Sequence, residues 1–446
     1  MSSREQLASA CIFPSFPGSF APDWARRFLA EGGGGIVLFA YNVPSVEELS
    51  GLCASLRAER EDVLLAIDEE GGDVTRLEWR AGSSYPGGAV LGVLDEPETT
   101  EAVAASIAAE LAAAGVNWNL APVADVNVPA NPVIGARAFG SDAALVARHV
   151  AAYVRGTESR RVAACAKHFP GHGATEQDSH LELPTISGDV EDGLEPFRAA
   201  IGAGVRTIMT AHVRVPALDD APATLSPAII GLLRDELGFD GVVLADALEM
   251  KAVSATVGVE ESAVRALRAG VDALCVGHDL GEEDVRRIRD ALVARVPEER
   301  LESAAGRIAR VAAWARPVVA PPDRDGAADA ARRALHVEGD VSFRARPRIV
   351  ELRPSANIAA GEAEHSLAAS VVREDEPVPA ADVYVVRDAH RHPWMQAAAD
   401  VGGAVVVEIG LPLWRPEHAR GYVASYGGSR ASYEAVATLL GGGVPA

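Results

Sequence analysis

The chain has 446 residues, with 41 Lys or Arg, 63 Asp or Glu and a formal net charge of −22. This length predicts two domains rather than one, and a hydrophobic fraction of 48% is enough for a sizeable globular core. The acidic balance argues against nucleic acid or an anionic membrane surface as a partner.

The N-terminal stretch "MSSREQLASACIFPSFPG" has no long apolar region of the kind that directs secretion, and no later stretch approaches ~20 uninterrupted apolar residues. We therefore expect a cytoplasmic protein, with export by another route left open. The cysteines are far apart and show no C-x-x-C spacing, so we expect buried free thiols rather than disulfides or a zinc ribbon. They are Cys11, Cys53, Cys165 and Cys275.

From residue 1 to about 316, helical runs that end at glycine are each followed by a short apolar run, as when "AVRALRAG" precedes "VDALCVG". Glycine suits the left-handed position that closes a helix, and continuous apolar runs are typical of parallel strands covered on both faces. This pattern predicts a (β/α)8 barrel, with a doubly wound open sheet as the alternative. The predicted strands lie around residues 9–13, 36–40, 63–68, 116–123, 162–168, 205–212, 242–246 and 271–276.

Pro317, Pro321 and Pro322 interrupt this pattern. We predict a barrel over residues 1–316, a linker rich in Pro and Asp over 317–330, and a smaller α/β sandwich-type domain over 331–446. In the last part, "VYVVRD" and "AVVVEIG" predict strands and "SRASYEAVATLL" predicts a closing helix. His390 and His392, in "AHRHPW", are interpreted as surface loop residues.

Several predicted barrel strands end on ionisable residues: Asp68, Lys167 with His168, His212, and Asp246. Loops are often polar for other reasons, but the joint pattern predicts one site at the carboxyl ends of the strands, where such barrels carry their chemistry. Asp246 follows a buried strand directly, where a carboxylate is costly unless it is paired or hydrogen-bonded. It is predicted to be a nucleophile, a base or a metal ligand, with a helix N-cap as the alternative.

Residues 167–180, "KHFPGHGATEQDSH", allow two functional interpretations. A metal site would use His168, His172, Asp178 and His180, but the prolines and glycines disfavour the helix on which a His-x-x-x-His pair binds zinc. In the other interpretation, Asp178 and His180 share one side of an extended backbone. The carboxylate then fixes the tautomer of His180 and makes it a proton shuttle. A purely structural Asp–His contact also stays open.

With this loop, the segments "IDEEGGDVTRL", "NLAPVADVNVPANPVIGARAFG" and "FDGVVLADALEMKAV" resemble glycoside hydrolase family 3, specifically its β-N-acetylglucosaminidase branch, the NagZ-like enzymes. The resemblance covers about residues 63–250. It implies a TIM-like catalytic barrel with the second α/β domain of the longer members. It also implies a retaining β-N-acetylhexosaminidase, without cofactor or metal, that acts on muropeptides or chito-oligosaccharides.

By this resemblance, Asp246 is the nucleophile that forms a covalent glycosyl-enzyme. His180, assisted by Asp178, is the acid and base in place of the second carboxylate that most glycosidases use. His172 and His212 receive no direct chemistry and are expected to support the site. The residues implied to hold the sugar are Asp68, Arg76, Arg137, Lys167 and His168.

Two departures from the family pattern concern the loop after the third predicted strand. Asp73 stands where many relatives carry arginine, and Glu69 stands where glutamine is frequent. Both are expected to make the rim of the site more acidic.

Other functions stay open at this point. A phosphorylase of the same family would resolve the intermediate with phosphate instead of water. A metal-dependent barrel hydrolase for amide or phosphate bonds and a catalytically inactive sugar-binding module are the more distant alternatives. The expected partner is a small glycan, with no nucleic acid or membrane partner, and we expect a monomer or weak homo-oligomer.

Overall fold

The computed structural model describes residues 3–175, 183–186, 190–277, 280–355 and 364–441, apart from the side chains of 254–256. Its strands are β1 Ile12–Pro14, β2 Gly35–Leu38, β3 Leu64–Ile67, β4 Trp118–Asn119, β5 Ala163–Phe169, β6 Thr207–Thr210, β7 Arg214–Val215, β8 Asp219–Pro222, β9 Val242–Ala245, β10 Ala273–Val276, β11 His336–Gly339, β12 Ile349–Leu352, β13 Ser370–Val372, β14 Val383–Val386, β15 Val405–Glu408 and β16 Gly421–Ala424.

The α-helices of these ranges alternate with the strands through most of the chain. They are α1 Ser3–Ala10, α2 Asp23–Ala30, α3 Val46–Glu59, α4 Gly88–Leu94, α5 Pro97–Ala114, α6 Ala143–Glu158, α7 Glu191–Gly202, α8 Pro227–Gly231, α9 Lys251–Val257, α10 Val259–Ala269, α11 Glu282–Arg295, α12 Glu298–Trp314, α13 Arg324–Arg333, α14 Pro393–Ala399 and α15 Arg430–Leu439. Among them, none has the length and apolar character of a membrane-spanning helix.

The first sheet is an eight-stranded parallel sheet in the order β1-β10-β9-β6-β5-β4-β3-β2. Its two end strands, β1 and β2, lie beside each other and nearly close the sheet into a barrel. The eight strands correspond to those predicted from the sequence, so the (β/α)8 barrel is confirmed and the open sheet is excluded. The first strand begins later than predicted because residues 3–10 form α1.

Along each barrel strand, successive side chains point alternately into the barrel interior and outward against the surrounding helices. Phe13 and Trp118 meet edge to face inside the barrel with ring centroids 5.3 Å apart. The indole nitrogen of Trp118 donates a hydrogen bond to Thr207 Oγ1 at 2.8 Å, which satisfies the polar atom of a fully buried ring. All four cysteines are buried free thiols, as predicted.

The second sheet has the order β11-β16-β15-β14-β12-β13 and is parallel except for the pair β11–β16. The predicted strands "VYVVRD" and "AVVVEIG" become β14 and β15, and the predicted closing helix becomes α15. α15 packs on one face of the sheet and α14 on the other. This confirms an α/β sandwich beside the barrel.

The predicted boundary region has more regular structure than a linker of residues 317–330 suggests, because α13 begins at Arg324. Helix α13 also contacts the barrel: Arg324 pairs with Glu110 at 2.8 Å, and Arg333 pairs with Glu96 at 2.7 and 2.8 Å. The domain boundaries themselves stay a prediction.

His390 and His392 are not on an exposed loop, as the sequence suggested, but are partly buried. Burial lowers the pKa of both imidazoles. Arg391, between them, donates a hydrogen bond to the backbone oxygen of Asn131 in the barrel at 2.9 Å. The prediction was wrong because this segment lies against the barrel, a contact that a local sequence pattern does not reveal.

Candidate active site

A cavity of about 540 Å³ lies at the carboxyl ends of the barrel strands. It is lined by every predicted site residue that the structure describes: Asp68, Arg76, Arg137, Lys167, His168 and Asp246. Asp178 and His180 lie outside the described residues. The structure therefore brings together side chains from four separate parts of the sequence at the rim where the barrel carries its chemistry.

Lys167, near the end of β5, contacts two carboxylates at once. Its ammonium nitrogen lies 2.7 Å from Asp68 Oδ1 and 2.7 Å from Glu70 Oε1. Burial by itself would lower the pKa of Lys167, but the two carboxylates outweigh it and hold that pKa above its usual value. Lys167 is therefore a buried, charged donor in the floor of the cavity.

Arg137 pairs with Glu70 through two parallel hydrogen bonds, Nε to Oε2 at 2.9 Å and Nη2 to Oε1 at 2.7 Å. Burial works to raise the pKa of Glu70, but Arg137 and Lys167 hold it well below its usual range. Arg76 lies 3.8 Å from Asp68. Three cations thus surround two carboxylates, an arrangement that offers both donors and acceptors to a neutral polar ligand.

His168 is oriented by Asp125, whose side chain is fully buried. The His168 Nδ1 to Asp125 Oδ2 distance is 2.7 Å, and Asp125 Oδ1 also accepts from the backbone nitrogens of His172 at 2.6 Å and Gly173 at 3.2 Å. With its Nδ1 proton directed at Asp125, a neutral His168 ring has Nε2 as an acceptor.

The two remaining histidines of the predicted site have different surroundings. His172 lines the cavity, and burial lowers its pKa to about 4, so its ring is neutral near pH 7. His212 does not line the cavity. Its ring nitrogens lie 2.9 Å from Thr224 Oγ1 and 3.0 Å from the backbone oxygen of Ala247, so it fixes the segment after β9.

Asp246 directly follows β9 and lines the cavity. Its backbone nitrogen donates to Thr210 O at 3.3 Å, and its Oδ1 accepts from the backbone nitrogen of Ala247 at 2.8 Å. Helix α9 begins only at Lys251. The helix N-cap alternative for Asp246 is therefore excluded.

The structure adds features of the cavity that the sequence analysis missed. Phe39 and Tyr41, after β2, line it as a stacked pair with centroids 5.6 Å apart, and the Tyr41 hydroxyl lies 2.7 Å from Ser15 Oγ. The chain has only two lysines, Lys167 and Lys251, and both line the cavity.

Glu70 and Asp125 were also missed, although the sequence carried a signal for each. Glu70 stands two residues after Asp68, so in extended backbone both point to the same side. Asp125 ends the apolar run "NLAPVAD" in the way that Asp246 ends "GVVLAD". The rule that identified Asp246 applies equally to Asp125.

The expectation that Glu69 and Asp73 acidify the rim was wrong, because both point away from the cavity. Glu69 is 2% exposed and accepts from the backbone nitrogens of Arg76 at 2.8 Å and Leu77 at 2.9 Å. Asp73 pairs with Arg387 of the second sheet at 2.6 and 3.1 Å.

A metal site finds no support among the residues that the structure describes, since no three or more of their His, Cys, Asp and Glu side chains are grouped to hold an ion. The metal interpretation of the loop 167–180 also requires Asp178 and His180, which fall outside these residues.

Comparison with known proteins matches residues 21–311 to the family model described as the glycosyl hydrolase family 3 N terminal domain. A relative from Chromobacterium violaceum, named Beta-hexosaminidase, is 36% identical over 323 residues, which cover 69% of this chain and 88% of that protein. A family 3 β-N-acetylglucosaminidase from Paenibacillus sp. FPU-7 has a similar structure, with a TM-score of 0.86, 30% identity, and coverage of 99% and 96% of the two chains. A β-N-acetylhexosaminidase from Beutenbergia cavernae covers 70% of this chain and 99% of its own, with a TM-score of 0.64 and 31% identity.

Proposed function

The chain belongs to glycosyl hydrolase family 3, and from this premise we propose that it is a retaining β-N-acetylhexosaminidase that releases terminal β-linked N-acetylglucosamine. The names of the relatives from Chromobacterium and Paenibacillus support this substrate class. The observation that carries the proposal is the cavity itself, in which Asp246 faces the same space as the charged cluster around Lys167.

In the proposed first step, a carboxylate oxygen of Asp246 attacks the anomeric carbon and the bond from that carbon to the leaving oxygen breaks. His180, protonated at the start, gives its proton to the leaving oxygen, so the aglycone departs as a neutral alcohol. In the second step, water attacks the anomeric carbon, His180 takes a proton from the water, and the Asp246 carboxylate is released. Two inversions give net retention.

The assignment of His180 and Asp178 rests on the sequence, because both lie outside the described residues. Most retaining glycosidases use two carboxylates. An imidazole has an ordinary pKa much closer to neutrality than a carboxylate, so it can donate a proton in one step and accept one in the next without special burial.

The charged cluster suits an amino sugar with an uncharged N-acetyl group. Asp68 provides acceptors for sugar hydroxyls, while Arg76, Arg137 and Lys167 provide donors to hydroxyl and carbonyl oxygens. His168, held by Asp125 at 2.7 Å, adds a ring nitrogen of fixed orientation. Because these groups are already paired and buried, little reorganisation is needed when a sugar displaces water.

The proposal is tested by trapping the covalent intermediate with a 5-fluoro analogue of N-acetylglucosamine, or with a 2-deoxy-2-fluoro glucoside in which fluorine replaces the acetamido group, followed by peptide mapping. We expect one sugar per chain on the peptide that contains Asp246. A label on any other residue contradicts the assignment of the nucleophile, and turnover that leaves no trapped intermediate with any such analogue contradicts the retaining mechanism.

The phosphorylase alternative differs only in the acceptor of the second step. Product analysis with and without inorganic phosphate separates the two, and sugar 1-phosphate as the main product rules out simple hydrolysis. Activity that is lost on chelation and restored by a metal ion supports the metal-dependent hydrolase instead. A cytoplasmic location and muropeptides as the natural source remain proposals from the sequence.

A further inference from the structure

The loop between β3 and α4 faces two parts of the molecule. Asp68, Glu70 and Arg76 line the sugar cavity, whereas Asp73, between them in sequence, contacts the second sheet. Arg76, which is proposed to hold the substrate, is therefore only three positions away from an interdomain contact.

The second sheet has a strand order with a known functional meaning. Its parallel strands run β13-β12-β14-β15-β16, the order 2-1-3-4-5 of a doubly wound α/β domain. Such domains bind their ligands outside the carboxyl ends of the strands, where the order reverses. Here that point lies between β12 and β14, and Arg353 and Arg387 are the residues that follow these two strands.

At this point in the second sheet, where such a domain would bind a ligand, Arg387 contacts a side chain of the barrel instead. Arg387 donates to both carboxylate oxygens of Asp73 at 2.6 and 3.1 Å, and the backbone nitrogen of Gly428, after β16, donates to Asp73 Oδ1 at 2.9 Å. The Asp73 side chain is 11% exposed and that of Arg387 is 28% exposed. A bidentate carboxylate–guanidinium pair with this little exposure has a fixed geometry.

The turn at Gly71 and Gly72, beside Asp73, is tightly packed and hydrogen-bonded, so the position of Asp73 affects its neighbours. Gly71 and Gly72 have φ angles of +79° and +63°, and a Cβ on Gly72 would lie 2.5 Å from Gly87 Cα. The backbone nitrogen of Glu70 donates to Val74 O at 3.0 Å. A shift of Asp73 is therefore passed to Glu70 and Arg76 rather than absorbed by a flexible turn.

A second contact reaches the part of the cavity wall formed by Val133, Ile134 and His172. Arg391 donates to the backbone oxygen of Asn131 at 2.9 Å. The Asn131 side chain, in turn, donates to His172 O at 2.9 Å and accepts from the backbone nitrogens of Val133 at 2.9 Å and Ile134 at 2.7 Å. His172, Val133 and Ile134 all line the cavity.

We propose that the second domain is a positioning element of the sugar site: Arg387 holds Asp73 in the crevice where such a domain would bind a ligand, and thereby places Glu70 and Arg76 against the substrate. Arg391 does the same, through Asn131, for the part of the wall formed by Val133, Ile134 and His172. The inference rests on the proposed function for the identity of the sugar. It makes Arg387 and Arg391 positioning residues, since neither lines the cavity.

The test measures KM, kcat and the inhibition constant of free N-acetylglucosamine for Arg387→Ala in the full chain. Because Arg387→Ala leaves the Asp73 carboxylate buried without its cation, the double variant Asp73→Ala/Arg387→Ala is measured as well, with thermal unfolding of each. We expect KM and the inhibition constant to rise by about tenfold or more in both variants, since small displacements of binding groups have effects of this size. Arg387→Lys, which keeps the charge but not the two-pronged contact, should recover part of the loss.

Arg333→Ala is the matched control, because it removes another two-pronged ion pair to the barrel, with Glu96, outside the cavity lining. We expect its inhibition constant to stay within about twofold of wild type. A folded double variant with unchanged sugar affinity overturns the proposal, as does an equal loss in Arg333→Ala. If the wild type cleaves a different sugar, the proposed function fails, and the same comparison with that sugar still decides the role of Arg387.

Discussion

His168 Nδ1 and Asp125 Oδ2 lie 2.7 Å apart and join β5 to the segment that follows the neighbouring strand β4. Asp125 is fully buried and His168 is 7% exposed, so this hydrogen bond is shielded from water. The other oxygen of the same carboxylate holds the backbone of His172 and Gly173. One carboxylate therefore sets both the ring orientation of His168 and the course of the loop that follows it.

Replacing Asp125 with asparagine should weaken sugar binding and stability together. The amide keeps the size of the carboxylate but loses its charge, and its NH2 group faces N–H donors. We expect the free energy of unfolding, measured in urea, to fall by about 1–3 kcal/mol, and KM to rise. Asp142→Asn changes an exposed helix cap, with Asp142 Oδ1 2.7 Å from Leu145 N, and should leave KM unchanged. An unaltered KM in Asp125→Asn would show that the orientation of His168 does not affect binding.

Asp246→Ala should abolish nearly all turnover, because it removes the carboxylate that is proposed to attack the anomeric carbon. We expect kcat to fall by about 10³-fold or more, as losses of single catalytic groups do in other hydrolases. The measurement is steady-state hydrolysis of an aryl N-acetylglucosaminide. Asp240→Ala, which removes a carboxylate that pairs with Arg307 away from the cavity, is the control. If Asp246→Gly keeps a turnover within about tenfold of wild type, the loss is far smaller than the expected one. That result would rule out the assigned role of Asp246.

His180→Ala should affect substrates according to their leaving groups. A poor leaving alcohol needs a proton in the first step, whereas an activated aryl oxygen departs without one. We therefore expect kcat/KM to fall much more for a disaccharide than for a nitrophenyl glycoside. Equal losses on both substrates would contradict the role of His180 as the acid.

Glu69→Gln should stabilise the protein near neutral pH. Burial raises the pKa of Glu69 to about 7, above its value in the unfolded chain, so the folded state retains a proton that the unfolded state has released. The contribution of Glu69 to the free energy of unfolding is complete below about pH 4.5. It is lost as the pH rises toward 7, and the loss is about 3 kcal/mol at most. Glutamine keeps an acceptor for the nitrogens of Arg76 and Leu77 and does not titrate.

The check is urea unfolding of wild type and Glu69→Gln at pH 5.5 and pH 8. We expect the free energy of unfolding of the variant to exceed that of wild type by more at pH 8 than at pH 5.5. Glu31→Gln changes an exposed residue after α2. Its difference from wild type in free energy of unfolding should be the same at both pH values. An advantage for Glu69→Gln that does not change with pH would show that Glu69 titrates normally in the folded protein.

The fold could be predicted because the barrel strands are short apolar runs, several of which follow a glycine that closes a helix. Asp68, Lys167, His168 and Asp246 could be placed at one rim because each follows such a run. Arg76 and Arg137, in contrast, come from irregular segments, and only the resemblance to a family pointed to them. Their position depends on tertiary contacts, such as the two-pronged pair of Arg137 with Glu70.

The errors over Asp73 and Glu69 have a single physical origin. Residues near a Gly-Gly turn alternate sharply in direction, and the sequence does not say which direction faces another domain. The Arg387 partner of Asp73 is 314 positions later in the chain. A pairing over such a separation leaves no local pattern to read.

The position of the lysines makes acylation of lysine side chains selective in this protein. The chain has only Lys167 and Lys251 besides its N-terminus; Lys167 is 2% exposed, whereas Lys251 is exposed at the mouth of the cavity. Among the lysine side chains, a reagent that acylates primary amines should therefore attach to Lys251, so a fluorescent dye placed there reports on occupancy of the cavity. Coupling the enzyme to a solid support through its lysine side chains should for the same reason obstruct the cavity, and attachment through another functional group avoids this.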